Sequence, residues 1–321
     1  MQISQAGSEF LQGYFATHER REKTKIAYHS DISQFQKFVG DKFDLRILSG
    51  THIENWAAHL QHEGYSPASI RRKIVVLKVF CSYWVRKGTL SESPFWRVKL
   101  SYGRIEQLPR TLTETEMKSL LTQAQKEYSK TNARRNKKNK TAGKASSIEY
   151  RVLRDLALIE LLFATGMRVG EASSVNLNDF LVKEAVFRVQ GKGGRERLAF
   201  IVDETALQIQ REHLEARNCL ETDSSALFLN SSGTRLSSQG IANILTRLRR
   251  NCGIQRHITP HMLRHTVATL LLRNGVDIRV VQEFLGHASI ATTQRYTHIT
   301  KEHMVKELRN HHPSLDFRTN D

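Results

Sequence analysis

Six side chains in the later two thirds of the chain have the types and settings to do chemistry: Arg168, Lys192, His261, Arg264, His287 and Tyr296. Arg168 lies in "FATGMRVGEASSV". Gly166 breaks the helix before it, so Arg168 starts or follows a turn, and Glu171 three residues on can lie beside it. Taken alone, the plainer reading is a surface ion pair. Lys192 lies in "GKGGRER", where flanking glycines let a tight turn carry a lysine into a groove; the plainer reading is a solvated hairpin tip. This is not a nucleotide-binding phosphate loop, because no strand–loop–helix with a following Ser or Thr surrounds it. In "TPHMLRHT", Thr259 can cap a helix and Pro260 fits its first position. His261 and Arg264 then lie three apart on the first turn, where free backbone N–H groups and the macrodipole attract anions. A guanidinium and an imidazole there make a seat for a phosphate. His265, one residue further, is expected to pack or hydrogen-bond inside the fold. His261 and His265 have a metal-pair spacing, but no Glu or Cys completes a ligand set, so no metal is expected. His287 follows Gly286, a helix stop, and is either structural or reactive. Tyr296, nine residues on, is either a helix-face aromatic or a nucleophile.

The elements that must position these residues are mostly helical. "SPASIRRKIVVLKVFCSYWVRKG" has a capping Ser66, Pro67 in the first turn and Gly88 as a stop. Ile70, Ile74, Leu77, Cys81 and Trp84 form its apolar stripe. Arg71, Arg72, Lys73 and Lys78 lie mostly off that stripe and are candidate DNA contacts. A helix is expected over 24–39, with Tyr28, Ile32, Phe35 and Val39 buried, and another over 51–63. Residues 1–100 therefore read as a helical bundle, 101–110 as a linker and 111–321 as a second domain opening on a Thr113–Glu116 capping box.

Within the second domain, residues 126–147 are nearly free of apolar side chains and read as a flexible basic insertion. Its Arg134, Arg135, Lys137 and Lys138 either grip phosphates or are merely solvated. Helical periodicity returns over 152–165. "AVFRVQGKGGRERLAFIV" alternates, turns and alternates again, which predicts a hairpin with Lys192 at its tip. Helices follow over 203–218, 237–252, 260–274 and 277–285. The fold class is mainly α with a small antiparallel β-sheet.

Composition points to the partner. Of 321 residues, 49 are Lys or Arg and 32 are Asp or Glu, a formal net charge of +17. A field of that sign favours a polyanion, most simply nucleic acid. Cys81, Cys219 and Cys252 lie far apart without a CxxC, which argues against a zinc site or a disulfide framework and suits a reducing cytosol. No secretory leader and no apolar run of membrane-spanning length is visible, so a cytoplasmic protein without a membrane association is expected.

Taken in order, Arg168, Lys192, His261-x-x-Arg264, His287 and Tyr296 resemble the tyrosine recombinase (phage integrase) family. Its hallmark is Arg, Lys, His-x-x-Arg, His or Trp, and Tyr. The matching stretches are "ATGMRVGE", "GKGGRER", "TPHMLRHTVAT" and "LGHASIATTQRYTH". The resemblance covers the second domain, as the catalytic domain. The helical first domain looks like the family's SAM-like core-binding domain, and the layout is similar to Xer-type and other compact integrases.

The resemblance implies a DNA strand transferase that uses neither metal nor ATP and needs no cofactor. Tyr296 would attack a backbone phosphorus, Arg168 and Arg264 would clamp the non-bridging oxygens, and Lys192 would protonate the departing 5′-oxygen. His261 would accept or relay the tyrosine proton and His287 would donate to a phosphate oxygen. Glu171 would hold Arg168 or His261 in place. The implied partners are double-stranded DNA, a homotetramer in the synaptic complex, and a second recombinase or an accessory DNA-bending protein. The tail over 300–321, with Val305 and Leu308, would dock on a neighbouring subunit or on its own domain. Residues 126–147 look longer than the matching connection in compact Xer-type members, which favours a mobile-element role over Xer-type dimer resolution. Little sequence precedes the helical domain, so no arm-site DNA-binding domain is expected. The rival readings are a type IB topoisomerase and a DNA-binding protein that has lost catalysis.

Overall fold

The computed structural model describes residues 1–18, 22–96, 98–100, 111–137, 147–191, 196–286 and 301–317. The chain divides into two compact units, Met1–Glu106 and Gln107–Asp321.

The first unit holds helices α1 (Ile3–Thr17), α2 (Glu22–Val39), α3 (Gly50–His62) and α4 (Pro67–Arg86). Helix α1 is an addition to the sequence reading. Its buried face mixes Ile3, Phe10 and Tyr14 with Ala6 and Gly7, which blurs the apolar stripe. Ser66 caps α4 by accepting from the Ser69 amide at 3.2 Å. The core closes around Phe10, Phe35, Trp56, Phe80 and Trp84, with the Phe35 and Trp56 rings edge to face at 4.9 Å.

Lys73 requires a correction. It is 3% exposed, not a surface contact for DNA. Its Nζ donates to Asp31 Oδ1 at 2.9 Å and to Gln34 Oε1 at 2.6 Å. Asp31 on α2 is itself buried and also receives both Nη groups of Arg72, one at 2.8 Å. The buried side of α4 is wider than its Ile70–Ile74–Leu77 stripe and takes in Lys73, Val76 and Phe80. A lysine is tolerated there because α2 supplies its counter-charge. Arg71, Arg72 and Lys78 remain exposed.

The second unit opens with α5 (Glu114–Lys137). Its capping box forms as expected: the Thr113 amide donates to Glu116 Oε2 at 2.7 Å, and the Glu116 amide to Thr113 Oγ1 at 3.1 Å. Residues 126–137 continue this helix, so that half of the expected flexible insertion is ordered. The anchors are polar and escape an apolar count. Glu127 accepts from Arg247 at 2.5 Å and from Asn251 at 2.8 Å, and the Tyr128 hydroxyl donates to Glu212 at 3.0 Å. Residues 138–146 lie outside the described residues.

Helix α6 (Ser147–Thr165) is the centre of this unit: every residue from Leu153 to Thr165 is buried. A helix apolar on nearly all sides must be covered on all sides, and α5, α8 (Glu204–Asn218) and α10 (Pro260–Arg273) pack on it. The short α7 (Val169–Ser174) follows, then a three-stranded antiparallel sheet in the order β1 (Phe180–Leu181), β2 (Val186–Gln190), β3 (Glu196–Phe200). Strands β2 and β3 are the expected hairpin. Strand β1, two residues long, is too short for an alternation to reveal. Helices α9 (Ser238–Asn251) and α11 (Ile278–Leu285) match expectation, with Asp203, Ser237, Thr259 and Asp277 capping α8, α9, α10 and α11. Helix α12 (Lys301–His311) buries Met304 and Leu308 in the same core, and after α13 (Pro313–Asp316) the Phe317 ring stacks on Phe163 at 5.3 Å. Within the single chain, the tail thus packs on its own domain. Among the described residues no helix is long and apolar enough to cross a membrane.

One buried group sets an acid limit on this unit. His213 is fully buried between Tyr150 and Phe228, at 5.6 and 4.9 Å, and neither ring nitrogen has a hydrogen-bond partner among the described residues. Burial, then the charges of Arg154 and Arg217, push its pKa from 6.5 down to about 3. The unfolded chain therefore binds a proton that the folded one refuses. The stabilisation is complete above pH 6.5 and is lost as pH falls toward 3. At pH 5 this single group should cost about 2 kcal/mol relative to its high-pH limit. Thermal melts between pH 7 and 5 should show the loss, and His213→Leu should reduce it by about half, because His312, also fully buried and pushed down to about 4, titrates over the same range. An unchanged slope in that variant would mean the titration lies elsewhere.

Candidate active site

Helix α6 ends at Gly166, whose φ of +56° is left-handed. A Cβ at this position would be strained and would run into Leu285 Cδ2, so glycine lets the end of α6 meet the end of α11. The chain then turns through Arg168, whose extended backbone caps α7. Glu171, in the first turn of α7, accepts the Arg168 amide on Oε2 at 2.9 Å and Arg168 Nη1 on Oε1 at 2.7 Å. Of the two partners expected for Glu171, Arg168 is the one it holds.

Arg264 reaches the same place from α10. Thr259 and Pro260 start that helix, and Met262, Leu263, Thr266 and Val267 face the core. Arg264 is 6% exposed. Its Nη1 donates to the Gly166 carbonyl at 2.7 Å and its Nη2 to the Leu285 carbonyl at 2.6 Å. Arg168 Nη2 donates to the neighbouring Gly286 carbonyl at 3.2 Å.

A third arginine completes the group. Arg197 on β3 donates from Nη1 to the Phe284 carbonyl at 3.0 Å and from Nη2 to Glu171 Oε2 at 2.8 Å. Three successive carbonyls at the C-terminus of α11, those of Phe284, Leu285 and Gly286, thus each accept from a different arginine. A helix end leaves such carbonyls without intrahelical donors and carries partial negative charge. Sequence reasoning missed Arg197. Leu198 looks like an inward residue of β3 but is exposed, and the register pairs Arg197 with Val189 and Ala199 with Phe187, both buried partners. The available signal was that Phe187 and Val189 give β2 its apolar side, and that side faces Arg197 across the hairpin.

Among the described residues Glu171 is the carboxylate that bonds Arg168 and Arg197, while Arg264 donates to the Gly166 and Leu285 carbonyls. Burial pushes its pKa up, but the charge of Arg197 and the hydrogen bonds from Arg168 and Arg197 outweigh this and hold it below the ordinary carboxylate value. Burial, then the charge of Arg168, pushes Arg264 down to about 10, so it is a cation at neutral pH. The cluster carries more positive charge than it neutralises.

His261 is exposed, one turn ahead of the inward-pointing Arg264. His265 is exposed too, which corrects the expectation of an internal role: at i and i+4 the two histidines share the solvent side of α10, opposite Met262 and Thr266. Lys192, His287 and Tyr296 lie outside the described residues; Lys192 falls between β2 and β3, and His287 directly follows Gly286. Among the candidate DNA contacts, Arg134 is exposed on α5. The side chains of Arg135 and Lys137, and all of Lys138, lie outside the described residues.

Comparison with known proteins places this architecture. Residues 110–303 match the Phage integrase family, and residues 8–88 match the Phage integrase N-terminal SAM-like domain. A tyrosine recombinase of Agathobacter rectalis is 33% identical over 310 residues, covering 97% of each chain. Tyrosine recombinase XerC of Listeria innocua is 30% identical over 317 residues, covering 97% of this chain and 99% of its own. The fold is also that of a lambda integrase tetramer solved on a Holliday junction, with a TM-score of 0.66 at 18% identity over 92% of this chain and 80% of that one. The chain belongs to the phage integrase family of tyrosine recombinases. It is accordingly an enzyme that cuts and rejoins DNA.

Proposed function

We propose that Arg168, Lys192, His261, Arg264, His287 and Tyr296 are the catalytic set, with Glu171 as support, and that the substrate is a specific site in double-stranded DNA. The observation that carries this reading is the convergence of Arg168 and Arg264, from separate helices, on one end of α11, immediately ahead of His287. A phosphodiester brings one negative charge, and a second builds on the non-bridging oxygens as phosphorus becomes five-coordinate. A cluster with surplus guanidinium charge and preformed geometry favours that state over the ground state.

In the proposed reaction the Tyr296 oxygen forms a bond to phosphorus and the 5′-oxygen leaves, which produces a 3′-phosphotyrosine and a 5′-hydroxyl. His261 accepts or relays the phenol proton, Lys192 delivers a proton to the 5′-oxygen, and His287 donates to a non-bridging oxygen. The phosphotyrosine ester conserves the phosphodiester bond energy, so attack by a 5′-hydroxyl of another strand reseals DNA without ATP. The exposed Arg71, Arg72, Lys78 and Arg134 are proposed phosphate contacts, and their contribution should fall steeply with salt.

Exchange of both strands of two duplexes calls for four protomers, and the lambda integrase tetramer supports that assembly. The proposed setting is the cytoplasm, in integration or excision of a mobile element. A second reading, Xer-type resolution of chromosome or plasmid dimers, is favoured by the full-length likeness to the Listeria innocua XerC.

The test is to trap the intermediate on nicked substrates drawn from a library of genomic sites, digest the adduct and locate the modified residue by mass spectrometry. The expected product is a DNA-linked peptide containing Tyr296. An adduct on another residue, or none from any site, would overturn the assignment. Sequencing the trapped junctions distinguishes the ends of a mobile segment from a dimer-resolution site.

A further inference from the structure

Arg168 and Arg197 grip the same two supports. Both bond the Glu171 carboxylate, and both bond the end of α11, at Gly286 and Phe284 respectively. The result is a closed circuit: Glu171, Arg168, the Gly286 carbonyl, the backbone to Phe284, Arg197, and Glu171 again. Arg197 is 13% exposed at its side chain, and its Nε has no partner among the described residues, so its hold on the circuit runs through its two Nη groups. Gly286 admits it closely: at φ +66° this residue has no Cβ, and one placed there would run into Arg197 Cδ and Nε. Arg197 is thus largely enclosed by the fold, yet it fixes the carboxylate that orients Arg168.

We infer that Arg197 is a positioning residue: by bonding Glu171 and the Phe284 carbonyl at once, it fixes the direction in which Arg168 presents its guanidinium to the scissile phosphate. The inference rests on the reading of Arg168 as a phosphate clamp. Without Arg197, Glu171 Oε2 keeps only the Arg168 amide, and the end of α11 loses its tie to β3. A lysine at 197 keeps the charge but, with a single ammonium, cannot span both supports as the guanidinium fork does. A displacement of Arg168 by about 1 Å is enough to cost on the order of 100-fold in rate.

The experiment compares cleavage of two nicked DNA substrates by full-length protein. One carries an ordinary scissile phosphate, the other a methylphosphonate at the same position. The methylphosphonate is neutral, so its transition state makes less demand on an arginine clamp. The measured quantity is the ratio of the two rates, which does not depend on what fraction of a preparation is folded. Arg197→Lys and Gly286→Ala should each lower phosphate cleavage by about 10- to 100-fold and shift the ratio toward methylphosphonate, in the direction shown by Arg168→Ala. If Arg168→Ala does not shift the ratio, the clamp reading itself fails. If Arg168→Ala shifts it while both other variants keep the wild-type ratio, Arg197 supports the fold alone and the positioning inference is overturned.

Discussion

Replacing Arg264 with alanine should lower DNA strand cleavage by about 100- to 1,000-fold while duplex DNA binding weakens by less than about tenfold. The asymmetry follows from where the charge develops. Binding draws on many phosphate contacts, so removal of one is a modest loss. Cleavage draws on donors aimed at the oxygens of a single phosphate, and loss of one preorganised donor in such a site costs on the order of 100- to 1,000-fold. Arg264→Lys should be nearly as defective, because an ammonium cannot replace the fork that bonds the Gly166 and Leu285 carbonyls together. Both changes leave those buried carbonyls short of a donor, a cost of about 1–3 kcal/mol each, so circular dichroism melts must accompany the assays. With its pKa at about 10, Arg264 stays charged across the working range and should add no step of its own to the wild-type pH–rate profile between pH 6 and 8. Gel-shift titration and covalent trapping on the same preparations supply the comparison. Equal losses of binding and cleavage would recast Arg264 as a DNA anchor.

The largest stability effect is expected in the first unit, at Asp31. Asp31→Ala should destabilise that unit by about 3–5 kcal/mol, because it leaves the Lys73 ammonium buried without its counter-ion. Gln34 Oε1, at 2.6 Å, gives Lys73 a hydrogen bond but no neutralising charge. Removing both charges together should be far milder, since a buried pair replaced by apolar groups of similar volume is often neutral. Asp31→Leu with Lys73→Met is therefore expected to recover most of the loss. The measurement suits the intact chain: all three tryptophans, Trp56, Trp84 and Trp96, belong to the first unit, so tryptophan fluorescence in urea reports its unfolding selectively. A midpoint unchanged in Asp31→Ala would show that the pair contributes nothing net.

Local features are legible in the amino-acid sequence alone. Thr113, Asp203, Ser237, Thr259 and Asp277 mark helix starts through their own chemistry, and the helices begin where they point. The β2–β3 hairpin is visible because an alternating run, a glycine-rich turn and a second alternating run lie next to one another in the chain. The order Arg168, Lys192, His261-x-x-Arg264, His287, Tyr296 is likewise visible, and it carries the family resemblance.

Sequence patterns are poorest where polar groups hold the structure together. Lys73 reads as a surface lysine because its partner, Asp31, is 42 residues away on another helix. Residues 126–137 read as unable to fold because their anchors, Arg247, Asn251 and Glu212, come from distant parts of the chain. His265 reads as internal, and only the orientation of α10 on its core turns it to solvent beside His261.

By itself, then, the sequence determined the residue types available for phosphoryl transfer, their order and most helix boundaries, because capping, periodicity and turn chemistry act over a few residues. The tertiary structure decided which charges are buried, which face of β3 points inward, and that Arg168, Arg197 and Arg264 meet on three successive carbonyls of α11. Those outcomes depend on hydrogen-bond donors and acceptors brought together from more than 20 residues apart. No local pattern encodes such a meeting; it exists only once the helices and the hairpin have packed.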